Sequence, residues 1–241
     1  MSGFIRMCWF HLRQFARVGY FVTLLITSTA SIFAMQALGS RATGADPALW
    51  LRSGEMGMWA TCTFAAGIVG FQRFQGTLAH LLFTPRLPGT VLLPLIASGS
   101  IFSVLAFPLA AGLSACCGFP IGFSSAGGLV AGILLLWIAC LSLCLVIAPV
   151  FVLSAHALTY EGLILVPIVL LSGIFGYHPA GLRMLGHALP TSFAVEFLAQ
   201  PSWSSAIMCL LVAVVWAGMG FWLAARALDR ATVDGTLEVA V

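Results

Sequence analysis

The chain has 241 residues, of which 61% are hydrophobic and 7% are charged, and its formal net charge is +3. Ordinary globular domains carry about 25% charged residues, so this composition excludes a water-soluble fold and indicates a protein embedded in lipid. All ten basic residues are arginine, and the absence of lysine excludes both a P-loop nucleotide site and Schiff-base chemistry, because each needs a lysine amine.

Residues 1–19 predict an amphipathic helix that lies in the membrane interface. At about 100° per residue, Arg6, Arg13 and Arg17 fall on one narrow stripe of the helix. Apolar side chains fill the opposite half: Phe4, Ile5, Cys8, Trp9, Leu12, Phe15 and Ala16. A helix of this kind places its apolar half in the acyl boundary and turns its arginines toward lipid phosphates.

Stretches without Asp, Glu, Lys or Arg predict six membrane-spanning helices. About 20 apolar helical residues cross a bilayer core of roughly 30 Å, and such stretches lie near residues 20–39, 55–72, 91–115, 128–153, 162–176 and 205–226. The long uncharged run at 87–160 has room for a third helix, but its Gly- and Pro-containing segment 116–125 predicts a turn between two.

The distribution of arginines predicts the orientation of these spans. With six spans and both termini in the cytoplasm, seven of the ten arginines are cytoplasmic, and only Arg41, Arg52 and Arg183 lie outside. This asymmetry obeys the positive-inside rule. The predicted fold class is therefore an all-α integral membrane protein, built as a single transmembrane domain over residues 1–241.

The segment 72–86 joins the second and third spans and predicts a cytoplasmic helix that Pro85 ends. One face is apolar: Phe71, Phe74, Leu78, Leu81 and Leu82. The other face carries Arg73, Gly76, Thr77, His80, Phe83 and Thr84. An aromatic side chain such as Phe83 on a polar face is typical of a protein contact; the alternative is that the helix tip folds this ring back into lipid.

The segment 177–204 predicts two short helices that dip into the outer leaflet between the fifth and sixth spans. Backbone that turns within a membrane must be shielded by protein or water, so we expect this hairpin to pack against the spans as an outer gate. Its candidate gate residues are Arg183, Pro190 and Glu196, and Arg183 is a possible ion-pair partner of Glu196.

The remaining polar and small residues predict packing rather than chemistry. Cys62, Cys140, Cys144 and Cys209 lie within spans, where thiols pack as small apolar side chains, so neither a disulfide framework nor a metal site is expected. His, Asp and Glu do not fall at a spacing that suits an intramembrane enzyme, and the scattered arginines do not predict a nucleic-acid partner. Two sets of small residues predict close helix contacts, within the chain or between copies: Gly128 and Gly132, and Ala213, Ala217, Gly218 and Ala224.

Two stretches carry a resemblance to a known family. The segment Gln72–Pro85 resembles the cytoplasmic signature of ABC-2 type transporter permeases, which it matches at Arg73, Gly76, Thr77, Leu78, Leu81, Leu82, Thr84 and Pro85. Ala79 stands where glutamate is usual, and Gln75 where a charged residue is common. The stretch 167–197 resembles the region of the same family around the fifth span and the outer hairpin, with Leu189 in place of asparagine.

The resemblance implies the membrane-spanning subunit of a bacterial ABC exporter in the inner membrane. Such a subunit pairs with a second copy or a related permease, and two separate ATPase subunits bind ATP and Mg below them, so this chain itself is expected to be neither an enzyme nor a cofactor carrier. The resemblance also assigns roles to residues. The coupling helix at 72–86 would contact the ATPase through Arg73, Gly76, Thr77, His80, Phe83 and Thr84, and Thr61, Thr63, Phe64 and Phe175 would line the pathway of an amphipathic or hydrophobic cargo such as a drug, a modified peptide or a lipid-linked molecule.

Two alternatives stay open. One is a haem-exporter-like subunit of cytochrome c assembly, which has a similar size and number of spans. The other is a membrane immunity or assembly factor that is not coupled to ATP, which the replacements at Gln75 and Ala79 favour. A proton- or sodium-coupled carrier is less favoured, because it would need acidic residues at mid-membrane in both halves.

Overall fold

The computed structural model describes residues 3–17, 19–44, 46–74, 88–153, 157–175 and 180–233. Within these ranges every regular element is a helix, which confirms the predicted all-helical class. The helices are α1 (Gly3–Arg17), α2 (Gly19–Thr43), α3 (Leu49–Phe74), α4 (Pro88–Ser103), α5 (Ala106–Cys116), α6 (Ala126–Leu153), α7 (Ala157–Leu171), α8 (Ala180–Gly186), α9 (Pro190–Ala199) and α10 (Trp203–Val233).

Four helical stretches in the described ranges are long and apolar enough to cross a membrane: Gly19–Ser40, Ile96–Cys116, Ala126–Val150 and Trp203–Ala227. They coincide with the first, third, fourth and sixth predicted spans. The predicted spans at 55–72 and 162–176 fall on α3, which carries Arg52, Glu55 and Arg73, and on the described 15 residues of α7. The full six-span topology therefore stays a prediction, whereas the class of membrane protein is clear.

The longest helix, α10, has the side-chain pattern of a helix in contact with lipid. Its large apolar side chains Ile207, Leu211, Val214 and Val215 are exposed. Trp203 and Trp222, exposed by 86% and 55%, bracket this surface, and at 1.5 Å per residue they lie about 28 Å apart along the helix. This separation is close to the thickness of a bilayer core, at whose two borders tryptophan is enriched. The guanidinium of Arg226 lies 4.8 Å above the Trp222 ring, at the same border.

Helix α3 is the centre of the bundle and packs against α2, α4, α5 and α6. Two glycines allow this close approach. A Cβ atom on Gly54 would lie 2.7 Å from Cδ1 of Phe107 in α5. A Cβ atom on Gly57 would overlap the Thr29 hydroxyl of α2 and lie 2.9 Å from Cβ of Ala106. Small residues at helix contacts increase the van der Waals contact between backbones, which is a main source of helix association in lipid.

Among the small residues predicted to mark packing faces, Gly128, Gly132 and Ala213 serve packing within the chain. Gly132 of α6 lies directly under Leu198 of α9, and Ala213, Gly220 and Ala227 form the buried, seven-residue-spaced stripe by which α10 packs along α6. Gly218 has open space around it. The glycine of α10 that meets α6 is therefore Gly220, whose Cα lies against the backbone of Leu145.

The predicted third span, 91–115, is broken into α4 and α5 at Val104–Leu105. Pro108 explains the break, because it has no N–H to donate to the Val104 carbonyl and its ring would clash with that carbonyl in a continuous helix. The Val104 carbonyl instead accepts from Phe107 N at 3.2 Å, in a tighter turn. Ser103 adds to the bend by donating its hydroxyl to the Ser100 carbonyl at 2.6 Å.

The first helix, α1, lies against α4 and has the predicted two-sided character. Cys8, His11 and Leu12 are partly buried, and the Cys8 thiol lies 3.7 Å from the Pro94 carbonyl oxygen. Trp9 is exposed, and so are the three arginines of the predicted stripe. An exposed apolar strip next to arginines suits the boundary between acyl chains and phosphates.

Candidate functional site

One end of the bundle collects the α2–α3 connection, the α5–α6 connection, the α8–α9 hairpin and the start of α10; we call it the hairpin end. The first two connections are joined there by hydrogen bonds. Trp50 Nε1 donates to the Gly122 carbonyl at 3.0 Å, and Gly122 N donates to the Pro47 carbonyl at 3.2 Å. The predicted turn at 116–125 is confirmed as the irregular connection between α5 and α6.

Local sequence signals shape the α8–α9 hairpin. Helix α7 ends at Leu171, and Gly173 two residues later has a φ of 82°, the left-handed conformation that glycine adopts after a helix. Pro190 begins α9, where its missing N–H costs nothing. Ser192 donates its hydroxyl to the Gly186 carbonyl at 2.8 Å, which ties α9 back to the end of α8. Trp216 Nε1 donates to the Ala188 carbonyl at 2.8 Å and fixes the hairpin on α10.

A cavity of about 610 Å³ opens between these elements, and we call it the charged cavity. Its lining comes from the start of α3, the end of α7, the α8–α9 hairpin and the start of α10. The ionisable side chains in the lining are Arg52, Glu55, Arg183, His187 and Glu196. Serine hydroxyls and short apolar side chains make up most of the remainder, so the cavity combines several charges with partly apolar walls.

Glu196 is the hub of one charge cluster in this cavity. Its Oε1 atom lies 3.0 Å from Nη2 and 3.1 Å from Nε of Arg183, and 3.2 Å from Nε2 of His187. The His187 ring also stacks on Phe193 of α9, with 4.7 Å between ring centroids. The predicted pairing of Arg183 with Glu196 is therefore confirmed. The third predicted gate residue, Pro190, is buried at the first turn of α9.

Glu55 is the residue of this cavity that sequence reasoning missed. Its side chain is 2% exposed, and its Oε2 atom has no hydrogen-bond partner in the described part of the chain. Arg52, one turn earlier on α3, pairs instead with Asp46, at 2.9 Å. The Arg-x-x-Glu spacing places both side chains on one helix face, but in the sequence the charge at position 55 lies at the end of a predicted span.

None of the four predicted pathway residues belongs to the lining of the charged cavity. Thr61 and Thr63 are buried inside the bundle, by 99% and 97%, and Thr63 donates its hydroxyl to the Trp59 carbonyl at 2.9 Å. Phe64 packs against Tyr20 of α2, with 5.1 Å between ring centroids. Phe175 is half-buried against the core near the end of α7. The structure therefore does not gather the four around one opening in the single chain, and their role in a pathway stays a prediction.

The predicted coupling helix falls almost entirely outside the described residues. Residues 72–74 form the last turn of α3, so the Arg73 backbone is helical. Gly76, Thr77, His80, Phe83 and Thr84 lie in the segment 75–87, outside the described ranges. The structure describes the two flanking helices, α3 and α4, which pack against each other.

Comparison of the chain with protein-family models, with curated proteins and with solved structures finds no match. The function therefore has to be argued from the chain's own residues and from their geometry.

Proposed function

We propose that the chain is the membrane-spanning permease subunit of an ATP-driven ABC exporter in a bacterial inner membrane, with both termini in the cytoplasm. The observation that carries the proposal is the segment Gln72–Pro85, which matches the ABC-2 permease signature at eight positions and joins α3 to α4. We expect such a segment to act between two spans, because a force on the connector is then transmitted to both of them.

The packing around that connector supports the proposal. Helix α4 begins directly after the segment and packs mainly against α3 and the interfacial helix α1, with a smaller contact to α6. A displacement of the connector would therefore move α3, α4 and α1 together. In the proposed cycle, two ATPase subunits bind ATP, close on each other and push on the connector, and the bundle turns from inward-facing to outward-facing as a rigid-body rearrangement.

The exposed surface of α7 supports the proposed pairing with a second permease subunit. Leu163, Val166 and Leu170 form an exposed strip at helical spacing, with exposures of 76%, 53% and 48%. Helix α7 is also the most lightly packed of the long helices in the described ranges. In ABC-2 permeases the fifth span contributes to a central pathway between two subunits, so an apolar α7 suits a cargo that is amphipathic or hydrophobic.

The test is co-purification of the tagged chain in mild detergent, followed by mass spectrometry and an ATPase assay. We expect a separate protein with a P-loop and vanadate-sensitive ATPase activity to accompany the wild-type chain. Phe83→Ala and His80→Glu should each reduce its recovery, because the connector would lose an aromatic contact or gain a repulsive charge. Phe123→Ala is the matched control, since Phe123 is an exposed phenylalanine in the α5–α6 connection, at the hairpin end.

Recovery of the chain without any ATPase in several detergents would refute the exporter proposal and favour the uncoupled membrane factor. Equal recovery of the ATPase with Phe83→Ala, His80→Glu and Phe123→Ala would support an ABC partnership but show that Phe83 and His80 do not contribute to the interface. Recovery of haem-handling proteins together with the ATPase would favour the haem-exporter-like subunit.

A further inference from the structure

The charged cavity holds a carboxyl group whose partner is missing from the described chain. Glu55 is 2% exposed, and its Oε2 atom has no hydrogen-bond partner there. A buried charge is costly unless a countercharge and hydrogen-bond donors accompany it. The only carboxylate of the cavity lining other than Glu55 is Glu196, which already accepts from Arg183 and His187.

A charge balance over the cavity shows what kind of partner is missing. Arg52 pairs with Asp46 beside the cavity, and Arg183 pairs with Glu196 within it. These two pairs cancel, so Glu55 is the acidic group of the cavity lining that has no basic side chain of the described residues paired with it. The complementary group is therefore a single positive charge that also donates hydrogen bonds.

The size and the walls of the cavity favour an organic cation over a bare metal ion. The volume of about 610 Å³ lies within the range of roughly 300 to 1,000 Å³ that is usual for small-molecule sites. Leu51, Leu171 and Val195 supply apolar wall, and Ser172 and Ser205 supply hydroxyl oxygens that accept hydrogen bonds. An ammonium group on a short apolar body would match both parts of this lining.

We propose that the charged cavity binds the ammonium group of an organic amine, with Glu55 as its counter-ion. This inference goes beyond the export function, since such binding needs neither ATP nor a second subunit. Two sources offer the same chemistry: the head group of phosphatidylethanolamine and a free amphiphilic amine. Both present a primary ammonium with three N–H donors next to apolar atoms.

The experiment uses the full-length chain in nanodiscs of phosphatidylglycerol, which contains no amine. Benzylamine is titrated as the probe and benzyl alcohol as its neutral isostere, with binding followed by saturation-transfer NMR. We expect benzylamine to bind at least about tenfold more tightly than benzyl alcohol, as a charge-assisted hydrogen bond to Glu55 requires. Glu55→Gln should remove this preference, while Gly112→Ala in α5 is the control and should retain it, because Gly112 is outside the cavity lining and has open space around it.

Equal binding of the amine and the alcohol, or an unchanged preference in Glu55→Gln, would overturn the proposal. The thermal unfolding of each variant shows whether it is folded. Glu55→Asp is a second test variant. Its side chain is one methylene shorter but keeps the carboxylate, so it should keep part of the preference for benzylamine over benzyl alcohol. A second set of nanodiscs containing phosphatidylethanolamine identifies the source: competition with benzylamine assigns the site to the lipid head group, and unchanged binding assigns it to a free amine.

Discussion

The close packing of α3 at Gly57 makes a sharp prediction about the stability of the bundle. Gly57→Ala adds one Cβ atom that would lie 2.9 Å from Cβ of Ala106 and 3.1 Å from Cβ of Thr29, in addition to overlapping the Thr29 hydroxyl. Two of these three neighbours are atoms attached directly to the backbones of α2 and α5. Rotation of a side chain therefore relieves only part of the overlap, and the helices have to separate.

Overpacking of this kind costs about 1 to 3 kcal/mol, which is roughly a 5- to 150-fold decrease in the ratio of folded to unfolded protein. For a chain of this length the midpoint of thermal unfolding should fall by about 2 to 12 °C. The matched control is Gly112→Ala in α5, where a Cβ atom meets nothing within 4 Å. Alanine is the better helix former there, so the control should be neutral or slightly stabilising.

The native cysteines provide the assay. Cys62, Cys140, Cys144 and Cys209 are buried, whereas Cys116 and Cys117 are exposed. In a Cys8→Ser, Cys116→Ser, Cys117→Ser background, only the four buried cysteines remain, and a thiol-reactive fluorophore reports exposure of the bundle interior as the temperature rises. The double variant Thr29→Ala, Gly57→Ala should recover part of the loss, because the overlapping hydroxyl is gone. Equal midpoints for Gly57→Ala and Gly112→Ala would show that the helices do not pack as closely as described.

Other parts of the structure give further expected outcomes. Burial lowers the pKa of His11 in α1, so the docking of α1 on α4 should be fully stable above pH 6.5 and weaken as the pH falls below that value, because only the displaced helix takes up the proton readily; the emission of Trp9 would follow this change, and a pH-independent signal would count against it. Removal of the Glu196 cluster by Glu196→Ala should cost no more than about 1 kcal/mol, since Arg183 and Glu196 are partly exposed, and a larger decrease in the unfolding midpoint would contradict this. A cysteine-free variant should stay folded and active, because all seven cysteines are free thiols; loss of activity on thiol removal alone would show that the thiols have a role. In single-cysteine labelling, Ala180→Cys should react from outside the cell and Pro88→Cys only from inside, and the reverse pattern would overturn the six-span topology.

The sequence predicts the helices well wherever apolar content and uninterrupted length determine the outcome. The spans at 20–39, 128–153 and 205–226 correspond to α2, α6 and α10 within a few residues at most ends. The amphipathic α1, the turn after Cys116 and the pairing of Arg183 with Glu196 also follow from local patterns. Each of these depends on residues close in sequence or on two charges with few other partners.

The sequence does not predict features that depend on which side of a helix meets which neighbour. The sequence predicts Glu55 at the edge of a span, because charged residues mark the ends of uncharged stretches. The fold instead continues α3 outward to Leu49 and buries that carboxyl group. Gly218 was grouped with the packing residues of α10, because its neighbours are small. The rotation of α10 about its axis instead places Gly220 at the contact with α6. Only tertiary contacts determine such a rotation.

The break at Val104–Leu105 divides one membrane crossing into two mechanical parts. The part before the break, α4, packs with α1 and α3, while the part after it, α5, packs with α2 and α3. A continuous helix would transmit a tilt from one face of the membrane to the other as a stiff rod. A jointed crossing lets α4 tilt with α1 while α5 keeps its own angle, so a movement that reaches the charged cavity passes through α3, which packs against both parts and carries Arg52 and Glu55.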